Sequence, residues 1–136
     1  MKAVLIFVLI ICFLIILVAI LVDELWAEPP IWQVLMAEAV SEGYEGMYAV
    51  ACVIRNRGGI DGFVGAKRKD LRAFCERQGS HWRDVAKRIE YEVFEKDGRD
   101  ATSGARYYEN VETFGEPYWA RTKEETCKIG NHTFWK

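Results

Sequence analysis

The chain has 136 residues, 18 basic and 20 acidic side chains and a net charge of −2, room for a single domain and no more. Outside the N-terminal apolar run the two signs are interspersed, so there is no basic stripe of the kind that neutralises a phosphate backbone, and a nucleic-acid partner is not expected. Aromatic residues make up 13% of the chain and include Trp32, Trp82, Trp119 and Trp135. These read as core residues or as flat platforms for sugar rings.

Ala3 to Val22 is an unbroken apolar run. At 1.5 Å per residue its helix is long enough to cross a hydrocarbon core of ~30 Å. A cleavable signal peptide has a shorter apolar region and a small residue before the cut, whereas Leu25-Trp26-Ala27 presents a bulky one. The run is rich in Leu, Ile and Val and has no glycine, so residues 1–27 read as a retained signal-anchor. Lys2 precedes it and Asp23, Glu24 and Glu28 follow, which places residues 28–136 outside the cytoplasmic membrane as the folded domain, acting as a monomer.

After the stiff break Glu28-Pro29-Pro30, the spacing of Ile31, Val34, Leu35 and Glu38 predicts a helix with Glu38 on its apolar face. A carboxylate there needs either a partner or a function. Glu42 lies four residues on, one helical turn away and on the same face if the helix continues. Gly43 and Gly46 mark a corner, and a second helix from about Glu45 buries Met47, Val50, Ala51 and Ile54 and ends at Arg55-Asn56-Arg57 before Gly58-Gly59. Residues 60–80 carry little periodicity. Lys67-Arg68-Lys69 reads as a solvated patch, and Leu71, Phe74 and Cys75 as a dip into the core.

From Ser80, read as an N-cap, a helix follows through Trp82, Val85, Ala86, Ile89, Val93 and Phe94 to Asp97-Gly98. Residues 100–104 read as a turn, residues 105–110 as a strand, and residues 117–128 as a short helix or an ordered loop carrying Trp119. Residues 129–135 read as a second strand antiparallel to the first. If the domain folds in an oxidising space, Cys75 and Cys127 form the natural disulfide. A zinc set of Cys75, His81, Cys127 and His132 lacks the short Cys-x-x-Cys spacing, and neither a metal nor another cofactor is expected. His132, near the terminus in a strand, reads as a hydrogen-bonded structural residue.

The run Glu38-Ala39-x-x-Glu42-Gly43-Tyr44-Glu45-Gly46-Met47, continuing to Asn56-Arg57, resembles the opening motif of the SleB/CwlJ family of cell wall hydrolases. Asp100-x-Thr102-x-Gly104-Ala105-x-x-Tyr108-x-Asn110 resembles that family's second motif, and Trp119-Ala120 with Ile129-Gly130-Asn131-His132-x-Phe134 its closing segment. The resemblance covers roughly residues 33–136 in order. It departs from the family at Val40, often arginine there, at Gly43, often proline, and through residues 60–80.

The resemblance implies an α+β, mainly helical fold, compact and related in shape to lysozyme and lytic transglycosylases, with a small antiparallel β-hairpin. It implies peptidoglycan glycan strands as substrate and Glu38 as the catalytic glutamate. The cleft is expected to be lined by Glu42, Tyr44, Tyr107, Tyr108, Asn110 and Trp119. Glycosidic cleavage needs a proton on the leaving oxygen and support for an oxocarbenium-like centre. A lytic transglycosylase does this with one carboxylate, in which case Glu42 caps or pairs structurally, whereas a muramidase-type hydrolase uses two, here Glu38 and Glu42. A tethered wall-binding module without activity is the third alternative.

Overall fold

The computed structural model describes the backbone of residues 1–136 and the side chains of all except Lys2, Ala3, Glu24, Leu25 and Trp26. Helix α1 (Lys2–Trp26) is followed by α2 (Ile31–Ala39), a 3-10 turn (Val40–Glu42) and α3 (Gly43–Arg57). A loop with a 3-10 turn at Gly65–Lys67 leads to α4 (Leu71–Gln78) and α5 (Ser80–Glu90), which runs on as a π turn over Tyr91–Glu95. Strand β1 (Tyr107–Glu109), the one-turn α6 (Val111–Phe114), a 3-10 turn (Tyr118–Thr122), β2 (Glu125–Ile129) and β3 (His132–Trp135) complete the chain. The fold is mainly helical α+β, as expected.

Helix α1 stands apart from this core. Its stretch Val4–Asp23 has a mean hydropathy of 3.8 and none of it is buried against the protein. That length and composition suit a membrane span or a signal sequence.

The core is built on α3, which is apolar nearly all round: Met47 and every residue from Ala49 to Ile54 is buried. Helix α2 packs against α3, α4 and α5 through Val34, Leu35, Met36 and Ala39. The end of α3 is closed by Gly58, whose left-handed φ of 85° suits a residue without a side chain. Arg55 reaches from the last turn of α3 and donates to the carbonyls of Val93 (3.0 Å) and Gly98 (2.7 Å), satisfying acceptors that the end of the π turn leaves open.

The sheet has three antiparallel strands in the order β1-β3-β2, not the two of the expected hairpin. Strand β1 pairs with β3 as predicted, with Tyr108 opposite Phe134. The added strand, β2, is a half-exposed edge whose apolar residues are only Cys127 and Ile129, too short an alternation to mark a strand. The single strand expected over 129–135 is interrupted by the two-residue turn Gly130-Asn131, with Gly130 at φ 58°.

One further expectation, the disulfide, is corrected. Cys75 and Cys127 are both free thiols. Cys75 is buried on α4 with its sulfur 3.7 Å from the Gln33 carbonyl, and Cys127 lies on β2 with its sulfur 3.9 Å from the Ala101 carbonyl, so the two face different parts of the molecule. For the same reason Cys75, His81, Cys127 and His132 do not gather, and no cluster able to hold a metal is found among the described residues.

Asp100 ties the sheet to α3. Its Oδ1 accepts from the Thr102 amide (2.8 Å) and hydroxyl (2.7 Å), and its Oδ2 from the Gly104 amide (2.8 Å) and the Asn56 side chain (2.9 Å). Burial alone pushes this carboxyl up, but the bonds from Thr102, Asn56 and Gly104 outweigh it and hold the pKa at about 2, below the ordinary 3.8. A group depressed in the folded state stabilises above its unfolded pKa and loses that contribution as pH falls through the folded value. Asp100→Ala should therefore destabilise the domain by ~2 kcal/mol near neutral pH. The gap from wild type should close as thermal unfolding is followed from about pH 6 down to about pH 2.

Candidate active site

Glu38 sits in the last turn of α2, half-buried at the floor of a groove between the helices and the sheet. Its two carboxylate oxygens have separate donors from distant parts of the chain. Oε1 accepts from the Gly65 amide at 2.5 Å, and Oε2 from the Tyr108 hydroxyl at 2.5 Å. The amide arrives because the 60s loop runs directly over α2. A Cβ on Gly65 would lie 2.8 Å from the Ala37 Cβ and 3.0 Å from Glu38 Oε1, so only glycine permits this approach.

Tyr108 projects from β1, where its ring packs against Phe63, His132 and Phe134. Burial, then the charge of Glu38 and the bond to it, push its phenol pKa far above the usual range. The phenol is therefore a fixed donor at any ordinary pH.

Two hollows meet at Glu38. One of about 320 Å³ is walled by Phe63, Val64, Tyr107, Tyr108 and Trp119, with Arg57 and Glu109 at its edge. The other, about 330 Å³, lies between Ala37, Val64, Gly65, Lys67 and Arg68. Val64, 81% exposed, projects where they adjoin. The aromatic wall is braced from behind, with Trp119 5.6 Å from the Tyr107 ring and edge-on to Trp135 at 5.3 Å. A larger hollow of about 410 Å³ between α2, α4 and α5 contains neither Glu38 nor the aromatic wall, and its one carboxylate, Glu76, is engaged by Arg72 at 3.4 Å.

The structure thus brings Glu38, Tyr107, Tyr108 and Trp119 together and leaves three expected lining residues elsewhere. Helix α2 stops at Ala39, whose φ of −147° breaks the helix, so Glu42 does not stack on Glu38. Glu42 instead accepts from the Asn131 amide and side chain, both at 3.0 Å, and the Asn131 amide is the main cause of its lowered pKa. Tyr44 donates to Glu92 at 2.6 Å on the α3–α5 side, its pKa pushed up to about 12 first by burial and then by that bond. Asn110 caps α6 by accepting from the Thr113 amide at 3.0 Å.

The sequence reading missed several groove residues, among them Arg57, Phe63, Val64, Glu109 and Gly65. Glu109 is a second carboxylate in the groove, and the period-two alternation of β1 was the available signal, since it shares a strand face with Tyr107. Gly65 carried no signal, because its role arises only from contact with α2. His132 is buried beside Tyr108, and its Nδ1 has no hydrogen-bond partner, contrary to the bonded role expected.

The fold and groove are those of a compact α+β domain with a carboxylate at the floor of an aromatic-walled groove. The chain belongs to the cell wall hydrolase family, whose pattern matches residues 41–135 and so begins just beyond Glu38. Two solved structures are similar in fold. One is the catalytic domain of the germination-specific lytic transglycosylase SleB from Bacillus anthracis, with a TM-score of 0.52 and 25% identity, covering 78% of this chain and 90% of that one. The other is the catalytic domain of the Bacillus cereus SleB protein, with the same score and identity, covering 78% of this chain and 86% of its own. No curated protein sequence matches.

Tyr108→Phe keeps the ring packing and deletes only the donor to Glu38. Wall-lytic activity, read as loss of turbidity of a cell wall suspension, should fall by ~10–100-fold while the melting temperature moves little. Undiminished activity would mean that the Tyr108 hydroxyl does not position Glu38.

Proposed function

We propose that the protein cleaves the glycan strand of peptidoglycan between N-acetylmuramic acid and N-acetylglucosamine as a lytic transglycosylase, with Glu38 as its single acid and base. The observation that carries this reading is the seat of Glu38, a carboxylate with one amide and one phenol donor at the floor of an aromatic-walled groove. The similarity to the SleB catalytic domains supports it. So does the engagement of both Glu42 oxygens by Asn131, which gives that carboxylate a structural partner.

In this mechanism protonated Glu38 gives its proton to the glycosidic oxygen as the bond from that oxygen to muramoyl C1 breaks. The C6 hydroxyl of the same muramoyl residue attacks C1 and closes a 1,6-anhydro ring. The Glu38 carboxylate accepts the proton that hydroxyl loses, which restores the starting state without a water molecule. The Gly65 amide and the Tyr108 hydroxyl support the negative charge on Glu38 between the two transfers. The faces of Tyr107 and Trp119 suit the apolar sides of the sugar rings.

Glu109 supports a second reading. As a carboxylate in the same groove it is the candidate base for a water molecule, which turns the reaction into hydrolysis. The full-length protein in detergent, given purified peptidoglycan, should release anhydromuropeptides, and Glu38→Gln should release none. Products heavier by one water, with reducing-end muramic acid, identify hydrolysis instead. Wild-type protein that is retained on peptidoglycan but releases no product is a binding module.

Residues 1–27 are proposed as a retained membrane anchor and residues 28–136 as the catalytic domain outside the cytoplasmic membrane. The support is the unburied, strongly apolar α1, at ~0.3–0.6 kcal/mol favourable per Leu, Ile, Phe or Val near the bilayer centre. Full-length protein should sediment with membranes and resist carbonate extraction. Recovery of a shortened form in the soluble fraction would show a cleaved signal sequence.

A further inference from the structure

The groove does not end at the aromatic wall. Arg57 and Tyr107 are shared with a third hollow of about 260 Å³, lined also by Gly58, Gly59, Asp61 and Arg106. Two guanidinium groups therefore border one small hollow, against a single acidic side chain, Asp61. Beside it, the Lys123 ammonium lies 3.9 Å from the centre of the Tyr107 ring.

These cations differ from most arginines on the helical side of the molecule. Arg55, Arg68, Arg72, Arg77, Arg83 and Arg88 each have a carboxylate within 4.0 Å. Among the described residues, Arg57, Arg106 and Lys123 have none, as is also true of Arg99, Arg121, Lys67, Lys69, Lys87 and Lys96; what sets the three apart is that they gather at one end of the groove around Tyr107. Arg57 is held by the Asp61 carbonyl (2.7 Å) and stacks over Phe63 at 4.8 Å, which leaves the rest of its fork unused. Nothing lies within 4 Å of a Cβ added at Gly58 or Gly59, so the backbone opposite the guanidiniums is open. Glu109, in the adjoining hollow, has an oxygen turned to the Asn110 amide at 2.9 Å.

A muramoyl residue whose lactyl group is amidated carries no charge on its sugar. The charge of such a strand lies on the stem peptide, whose free carboxylates suit the planar, bidentate fork of arginine. We propose that the Arg57–Arg106 end of the groove, with Lys123 beside it, binds the carboxylates of the stem peptide on a muramoyl residue seated in the groove. This end then selects strands that bear peptides. The proposal rests on the lytic reading of the same groove.

Arg106 and Lys123 are the residues to change, because Arg57 also holds the 60s loop. The full-length protein in detergent is compared on native peptidoglycan and on peptidoglycan whose carboxylates have been amidated with carbodiimide and excess methylamine, as initial rates at limiting substrate. Wild type should cut the amidated material about tenfold more slowly, the size expected for loss of one charge-assisted bond. The Arg106→Ala, Lys123→Ala double variant should lose about tenfold on native material, cut both alike, and melt with wild type; Arg106→Lys should retain part of the preference. Equal wild-type rates on the two substrates, or a double variant that still prefers the native one, would overturn the proposal. A wild type that cuts neither refutes the lytic reading, and this proposal with it.

Discussion

Three separate pieces of the molecule meet at the Glu38 carboxylate. Helix α2 supplies it, the 60s loop supplies the Gly65 amide, and β1 supplies the Tyr108 hydroxyl. A half-buried carboxylate is tolerable only when its oxygens are matched by donors, and hydrogen bonds to a charged group contribute ~1.5–3 kcal/mol each. The group that does the proposed chemistry is thus also one that joins loop, helix and sheet. That constraint accounts for glycine at 65, for the orientation of β1 and for a groove that opens directly over Glu38.

Two further polar ties repeat this pattern at the rim. Glu42 holds the turn between β2 and β3 through Asn131, and Asp100 holds the entry to β1 while sharing Asn56 with α3. Each spans more than forty positions of sequence and links the helical layer to the small sheet. The sheet docks on the core through Phe134, Tyr108, Cys127 and Ile129, and these bonds add directional ties to that apolar contact. Many motif residues behind the family resemblance, Glu42, Asn56, Asp100 and Asn131 among them, therefore hold the scaffold, while Glu38 and Tyr108 face the groove.

The groove is divided by charge. Its middle is aromatic, suited to sugar rings, and carries the carboxylates Glu38 and Glu109, whereas one end carries Lys67 and Arg68 and the other Arg57 and Arg106. Arg68 is matched by Asp70 at 2.6 Å and lies over Phe74, while Lys67 beside it has no carboxylate within 4.0 Å. The opposite end keeps its charge available.

Local pattern was enough to read α1, the buried character of α3, the helix from Ser80, the pairing of the strand after residue 104 with the C-terminal one, and the awkward position of Glu38 on an apolar face. Each depends on periodicity or on caps a few residues away, which a linear chain displays directly. What only the folded chain decided was partnership. Glu42 stood one notional turn from Glu38 until the helix ended at Ala39 and sent it to Asn131. Tyr44 found its partner in Glu92. Glu109 and Gly65 entered the groove through strand alternation and a close backbone approach, and β2 joined the sheet as a polar edge. These contacts join residues up to 89 positions apart, and no spacing rule reaches that far, because packing sets the distance between them.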